Sequence, residues 1–211
     1  MRECFQNTDF ALFNIEDLNE RMEAIRENIQ PIFKHYGDLF MEEVNTFTEF
    51  KGSFHIAQHR RRTTNPPDTT WSAIGGDNRG YKKYPHIQIG INQKYIYMFL
   101  SIIDNPKHEV AMARYLLDHP SLWGNISQDY YVSGDHTKTD ILKADKNVMI
   151  ETLNRLIKIK KGEFMFGRII PFDSDMLKSC KKQEEFLQST LNTLLPIYKE
   201  LLDLYQMEES K

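Results

Sequence analysis

The sequence predicts one α+β domain, a central antiparallel or mixed β-sheet flanked by N- and C-terminal helices. Two observations carry this. Segments of period-two alternation crowd the middle of the chain, and segments spaced by three and four residues frame them. No internal repeat, low-complexity tract or long linker divides the 211 residues, so a single domain spans 1–211.

Asn14 is the expected first helix cap, with Glu16 and Asp17 complementing the helix dipole in the turn that follows. Leu18, Met22, Ile25, Ile29, Ile32 and Phe33 then mark one apolar stripe. Pro31 kinks this helix or starts a second one. Gly37 is a candidate break, and Gly52 closes the region. Between Asn14 and Phe50 nine acids face three bases, which reads as an acidic solvated face.

From Ser53 to His59 the alternation predicts a strand, with Phe54 and Ile56 on one side and His55, Ala57 and His59 on the other. A basic loop containing Pro66 and Pro67 leads to a short strand at Trp71–Ile74, and Gly75-Gly76-Asp77-Asn78 turns the chain. His86–Ile91 and Lys94–Ile103 read as a hairpin about Asn92-Gln93. Asn105-Pro106 is the expected start of a helix running to Leu117. Further on, strands are expected at Asp129–Val132 and Glu163–Ile170, and a helix at Ala144–Ile157. The tail from Asp175 to Met207 reads as helical, with a kink at Pro196.

The composition is that of an ordinary globular chain, 40% hydrophobic and 27% charged. The first residues have no signal-peptide pattern, and Tyr95–Ile103 is too short to span a bilayer. A cytoplasmic protein with no membrane partner is expected. Cys4 and Cys180 lie near opposite ends without a CxxC spacing and read as two structural thiols. The net charge of -3 gives no overall bias towards nucleic acid, but His55–His86 holds six Lys/Arg against two acids, a local surplus suited to an anionic ligand.

That same stretch, His55–Gly90, is the densest polar motif, with three of the seven histidines. It resembles the signature of the YktB-like family, uncharacterised bacterial proteins found mostly in low-GC Gram-positive species. The matching residues are His55, Ala57, His59, Arg61-Arg62-Thr63, Asn65-Pro66-Pro67, Thr70-Trp71, Arg79-Gly80-Tyr81-Lys82, Pro85-His86 and Gln88-Ile89-Gly90. The resemblance reaches upstream to Glu20-Arg21-Met22 and Ile25-Arg26. Downstream it includes Ser133-Gly134-Asp135-His136-Thr137-Lys138 and Lys160-Lys161-Gly162-Glu163. Thr139 stands where the family usually has Pro, Ile87 where it has Phe, and Arg60 is an added charge. The resemblance implies an α+β fold over nearly the whole chain and carries over no catalytic residue.

Function must therefore come from the residues themselves. The leading expectation is a cationic pocket for a phosphate-bearing small molecule, a nucleotide or nucleic acid. Arg61, Arg62, Asn65, Arg79, Lys82 and Lys138 would supply donors, and Trp71 and Tyr81 would supply rings for stacking. The bland reading, a solvated basic face with both rings in the core, weighs about equally. The alternative is a hydrolase or transferase on a phosphate-bearing substrate, with His55, His59, His86, Asp135 and His136 as acid–base candidates. For any one of these histidines a structural hydrogen bond is the more common role.

A metal site ranks lower, because His55 and His59 on a strand stand about 13 Å apart. A protein-interaction module built on the acidic N-terminal and kinked C-terminal helices is a further alternative. Lys158, Lys160, Lys161 and Arg168 form a second basic cluster that would extend the first if the last strand lay beside the motif strands. The pattern specifies no cofactor and no oligomeric state.

Overall fold

A computed structural model describes residues 2–104 and 106–211. Seven strands form one open sheet in the order β1-β2-β3-β4-β7-β5-β6. They are β1 (Ser53–Ile56), β2 (Thr69–Gly75), β3 (His86–Asn92), β4 (Tyr95–Ile102), β5 (Tyr130–Ser133), β6 (Leu142–Lys143) and β7 (Phe164–Pro171). Every neighbouring pair is antiparallel. The helices are α1 (Leu18–Ala24), α2 (Gln30–Thr48), α3 (Glu109–Asp118), α4 (Lys146–Lys158) and α5 (Cys180–Glu209). The expected α+β class holds. None of the described helices is long and apolar enough to cross a membrane.

Several expected boundaries move. The cap of α1 is Asp17, whose carboxylate accepts from Asn19 N and Glu20 N, while Asn14 ends a preceding 3-10 turn. Of the two outcomes expected at Pro31 the second holds: it stands in the first turn of α2, which follows a wider π turn at Ile25–Ile29. Gly37 lies inside α2, where the Phe54 ring occupies the space of a side chain; a Cβ would stand 2.6 Å from it. The third helix begins at Glu109, after Pro106, and Asn105 lies outside the described residues. Gly76, at φ +70°, makes the predicted turn after β2, a conformation that costs a side-chain-bearing residue strain.

All the helices pack on one face of the sheet. Phe33, Tyr36 and Phe40 from α2, Met112 from α3, Leu153 from α4 and Leu191, Leu194, Tyr198 and Leu201 from α5 join Ile87, Ile89, Met98, Leu100 and Phe166 in one core. The alternate residues of the same strands point the other way. Trp71, Ala73, Tyr97, Phe99 and Met165 form a second cluster with Tyr81, Tyr95, Ala57 and Ile103, and it contains no helical residue. Side chains and loops seal this face. Tyr97 lies across Gly90 so closely that a Cβ there would overlap its ring. Tyr97 in turn stacks on Phe99, with centroids 4.7 Å apart.

The two cysteines correct the expectation of free thiols: Cys4 and Cys180 form a disulfide, with Cα atoms 5.2 Å apart. Their separation of 176 residues conceals a direct contact, because the N-terminal segment lies on the start of α5. There the Gln183 side chain donates to Phe5 O and accepts from Phe5 N. Closing so long a loop restricts the unfolded chain by about 5 kcal/mol at most. Urea unfolding should therefore shift to lower denaturant in reductant, and Cys180→Ser should show the reduced midpoint with or without it. Equal midpoints for oxidised and reduced wild type would contradict a stabilising bond.

Candidate functional site

The motif residues gather on the helix-free face, around the β1–β2 loop, the loop between β2 and β3, and the turn after β5. β1 carries His55 onto this face, and its Nε2–H donates to Asp77 O at 2.9 Å. Just beyond β1, His59 takes a left-handed backbone at φ +49°, rare for a residue with a side chain. That conformation sets its ring edge-on to Trp71 at 5.5 Å and puts its Nε2 3.1 Å from Thr70 Oγ1. Trp71 Nε1 donates to the Tyr81 hydroxyl at 2.9 Å. A second imidazole, His136, meets Trp71 edge-on at 5.6 Å.

His136 is held by Glu163, the residue just before β7. The imidazole Nδ1 lies 2.7 and 2.8 Å from the two carboxylate oxygens, and the His136 backbone N donates to Oε2 at 2.7 Å. Asp104 N donates to the other oxygen at 3.1 Å, from a backbone at φ +57°. Asp104 in turn pairs with Lys82. Burial pushes the Asp104 carboxyl up, but Lys82, His136 and Arg61 together pull it below its ordinary value.

His86 lies at the centre, fully buried. Its Nδ1–H donates to Tyr84 O at 2.9 Å, and its Nε2 accepts from Gln88 at 3.1 Å. Both nitrogens are therefore occupied in the neutral ring. Burial, reinforced by the charges of His55, Lys82 and His136, pushes its pKa down to about 4 against the opposing pull of the Tyr84 carbonyl. His59 also falls to about 4, through burial and then the charges of Arg62, Lys82 and His136. Burial raises the Tyr81 hydroxyl to about 12, so it stays protonated at neutral pH.

Beside these rings a cleft of about 410 Å³ opens between the end of β1 and the Asp77–Lys83 loop. His55, Arg79, Lys82 and Lys83 line it, with Tyr81 in its wall. The one acid in its lining is Asp77. Backbone N–H groups of Arg79 and Gly80 and the Tyr84 hydroxyl donate to its carboxylate, and these bonds, that of Arg79 first, hold its pKa low. Asp77 is thus engaged by the loop, and Arg79 and Lys83 have no ion-pair partner among the described residues.

Other expected residues sit elsewhere or serve the scaffold. Arg62 donates to Asn65 O and Pro66 O, closing its own loop, while the Asn65 side chain is exposed. Arg61 is exposed outside the cleft lining. Lys138 stands 3.8 Å from Asp135, whose other oxygen caps Thr137. Trp71 and Tyr81 are only 7% and 8% exposed, so their faces are not presented to solvent. The second basic cluster does not extend the first. β4 separates β7 from the motif strands, and Arg168 pairs with Asp129 and lies over Phe186 on the helical side.

Asp135, His136 and Glu163 offer three metal-ligating atoms within 4.8 Å of one another. Thr137 and Lys138 already engage the Asp135 carboxylate, and His136 and Asp104 N engage that of Glu163, which leaves the set better suited to orienting an imidazole than to holding an ion. Glu163, Asp104, Asp77 and Lys83 were not among the expected site residues. For Glu163 a signal existed, a carboxylate leading directly into an otherwise apolar buried strand.

The site thus defines a class: an α+β protein with a cationic cleft beside a histidine–carboxylate cluster. The chain belongs to the family of the domain of unknown function DUF1054, whose model matches residues 5–198. It is 43% identical over 194 residues to a UPF0637 protein of Enterococcus faecalis, covering 92% of this chain and 96% of the relative. It is 38% identical over 201 residues to the UPF0637 protein YsbB of Lactococcus lactis, covering 95% and 100%. A UPF0637 protein of Lysinibacillus sphaericus is 37% identical over 195 residues, covering 91% and 92%. These relatives agree with the resemblance to uncharacterised proteins of low-GC Gram-positive bacteria.

The depressed imidazoles make stability depend on pH. Folded His59 and His86 resist protonation until about pH 4, whereas their unfolded value is 6.5. The stabilisation is therefore complete above pH 6.5 and is lost as pH falls towards 4, by about 3 kcal/mol per imidazole at most. Urea unfolding between about pH 7 and pH 5 should show this slope, and His86→Gln should flatten it. An unchanged slope in that variant would contradict a buried neutral His86.

Proposed function

We propose that this protein binds a phosphate-bearing small molecule of nucleotide size in the cleft between β1 and the Asp77–Lys83 loop. The observation that carries the reading is the convergence of Arg79, Lys82, Lys83 and His55 on one 410 Å³ cleft whose lining acid, Asp77, is already engaged by its own loop. Clefts of this size suit a small ligand, and Arg79 and Lys83, cations without an ion-pair partner among the described residues, concentrate anions beside low-dielectric walls. The near-complete burial of Trp71 and Tyr81 favours a nucleotide over a single strand of nucleic acid, which needs open ring faces for its bases. Such a ligand fits a cytoplasmic setting. In that reducing compartment the exposed Cys180 side of the disulfide is accessible to thiols.

Isothermal titration with pyrophosphate tests the reading. Arg79→Ala and Lys83→Ala should each weaken binding about tenfold, the usual scale for losing one charge-assisted contact. Arg61→Ala should cost less, because Arg61 lies outside the cleft lining. All affinities should fall as salt rises. Wild-type affinity in both Arg79→Ala and Lys83→Ala would refute the cleft as the anion site.

A further inference from the structure

We propose that the cleft reads a nucleobase as well as a phosphate, and that the base it fits has the pairing edge of uracil. The free edge of β1 presents a backbone donor, acceptor and donor that complement that base. This rests on the phosphate reading of the cleft and names the other end of the ligand.

The cleft reaches β1 along its edge. Successive side chains of a strand point to opposite faces, yet His55, Ile56, Ala57 and Gln58 all line the cleft. Consecutive residues border one space together where that space meets the backbone from the side. This side is free, because β1 is the outermost strand of the sheet and pairs with β2 alone.

The register fixes which backbone groups face outward. Ala57 N donates to Trp71 O at 2.9 Å, so residues 57, 55 and 53 turn their N–H and C=O groups towards β2. The intervening residues turn theirs away. Within the cleft lining the outer edge therefore runs Ile56 N–H, Ile56 C=O, Gln58 N–H. Neither N–H has a partner among the described residues, and the carbonyl accepts from the Gln58 side chain at 3.2 Å. That side chain is exposed, and its amide stands where the N–H of a flat ligand would bond.

A ligand that satisfies this edge must offer an acceptor, a donor and an acceptor in one plane. Uracil does so with O4, N3–H and O2, and thymine shares that edge. Adenine, cytosine and guanine each match at most two of the three groups and leave the third unpaired behind the base. A peptide strand fits less well. β1 ends at Ile56, and His59 turns the chain at φ +49°, while Phe54, the next outward-facing residue, lies outside the cleft lining. A planar base needs only the Ile56–Gln58 stretch. Arg79 and Lys83 line the same cleft from the facing loop, and its 410 Å³ lies in the range of sites that take a small ligand whole.

Isothermal titration of the wild-type protein with UDP, CDP, ADP, pyrophosphate and N3-methyl-UDP tests the assignment. UDP should bind about tenfold tighter than CDP, ADP or pyrophosphate, the scale of one well-placed hydrogen bond. N3-methyl-UDP lacks the donor for Ile56 O and should lose that advantage. Gln58→Pro removes one edge N–H and should weaken UDP about tenfold with pyrophosphate affinity unchanged. If that substitution disturbs the loop and pyrophosphate binding falls with it, the ligand series on the wild type still decides. UDP bound no tighter than pyrophosphate, or matched by CDP, ADP or N3-methyl-UDP, would overturn the base assignment and leave the anion reading standing. Failure of every ligand, pyrophosphate included, would instead overturn the anion reading beneath it.

Discussion

A sheet with helices on one face only must bury its other face by different means, and the site follows from that constraint. Five helices serve one core, leaving the alternate residues of seven strands to be covered by loops. Large rings laid flat over glycine positions, as Tyr97 lies over Gly90, supply much of the cover. Loops carry polar backbone that cannot be sealed without partners, so this face also collects hydrogen-bonding side chains. His86, Gln88, Ser101 and Glu163 are buried there, in a layer that a helix would have filled with leucine.

The electrostatics have the same origin. Four carboxylates stand near the face, and each is tied down locally: Asp77 by its turn, Asp104 by Lys82, Asp135 by its turn and Lys138, Glu163 by His136 and Asp104 N. The loop cations therefore meet little opposing charge inside the cleft. Burial keeps two of the imidazoles neutral at physiological pH, and Lys82 is paired with Asp104, so the unpaired positive charge there belongs to Arg79 and Lys83. Neutral rings, fixed carboxylates and free cations in one place are what recognition of an anion by a small rigid site requires.

Much of the fold was legible because the sheet's two faces leave a period-two mark. Phe54 and Ile56 against His55 and Ala57 gave the sides of β1 correctly, and the β3–β4 hairpin falls where alternation puts it. What misled were signals whose meaning depends on distant neighbours. Gly37 looks like a break and is a notch for Phe54; Cys4 and Cys180 look independent and are joined through the fold. At the candidate site, spacing could not distinguish Arg79, which lines the cleft, from Arg62, which is folded back on the carbonyls of its own loop. Nor could it pair His136 with Glu163 across 27 residues, because that contact exists only once β5 and β7 lie side by side.

The most direct measurement is a crystal soaked in tungstate, a phosphate mimic whose metal is located by anomalous scattering. The account predicts the strongest peak in the cleft, between the Arg79 and Lys83 side chains and facing His55. An empty cleft with the anion elsewhere, for instance beside Lys158 and Lys161, would contradict it.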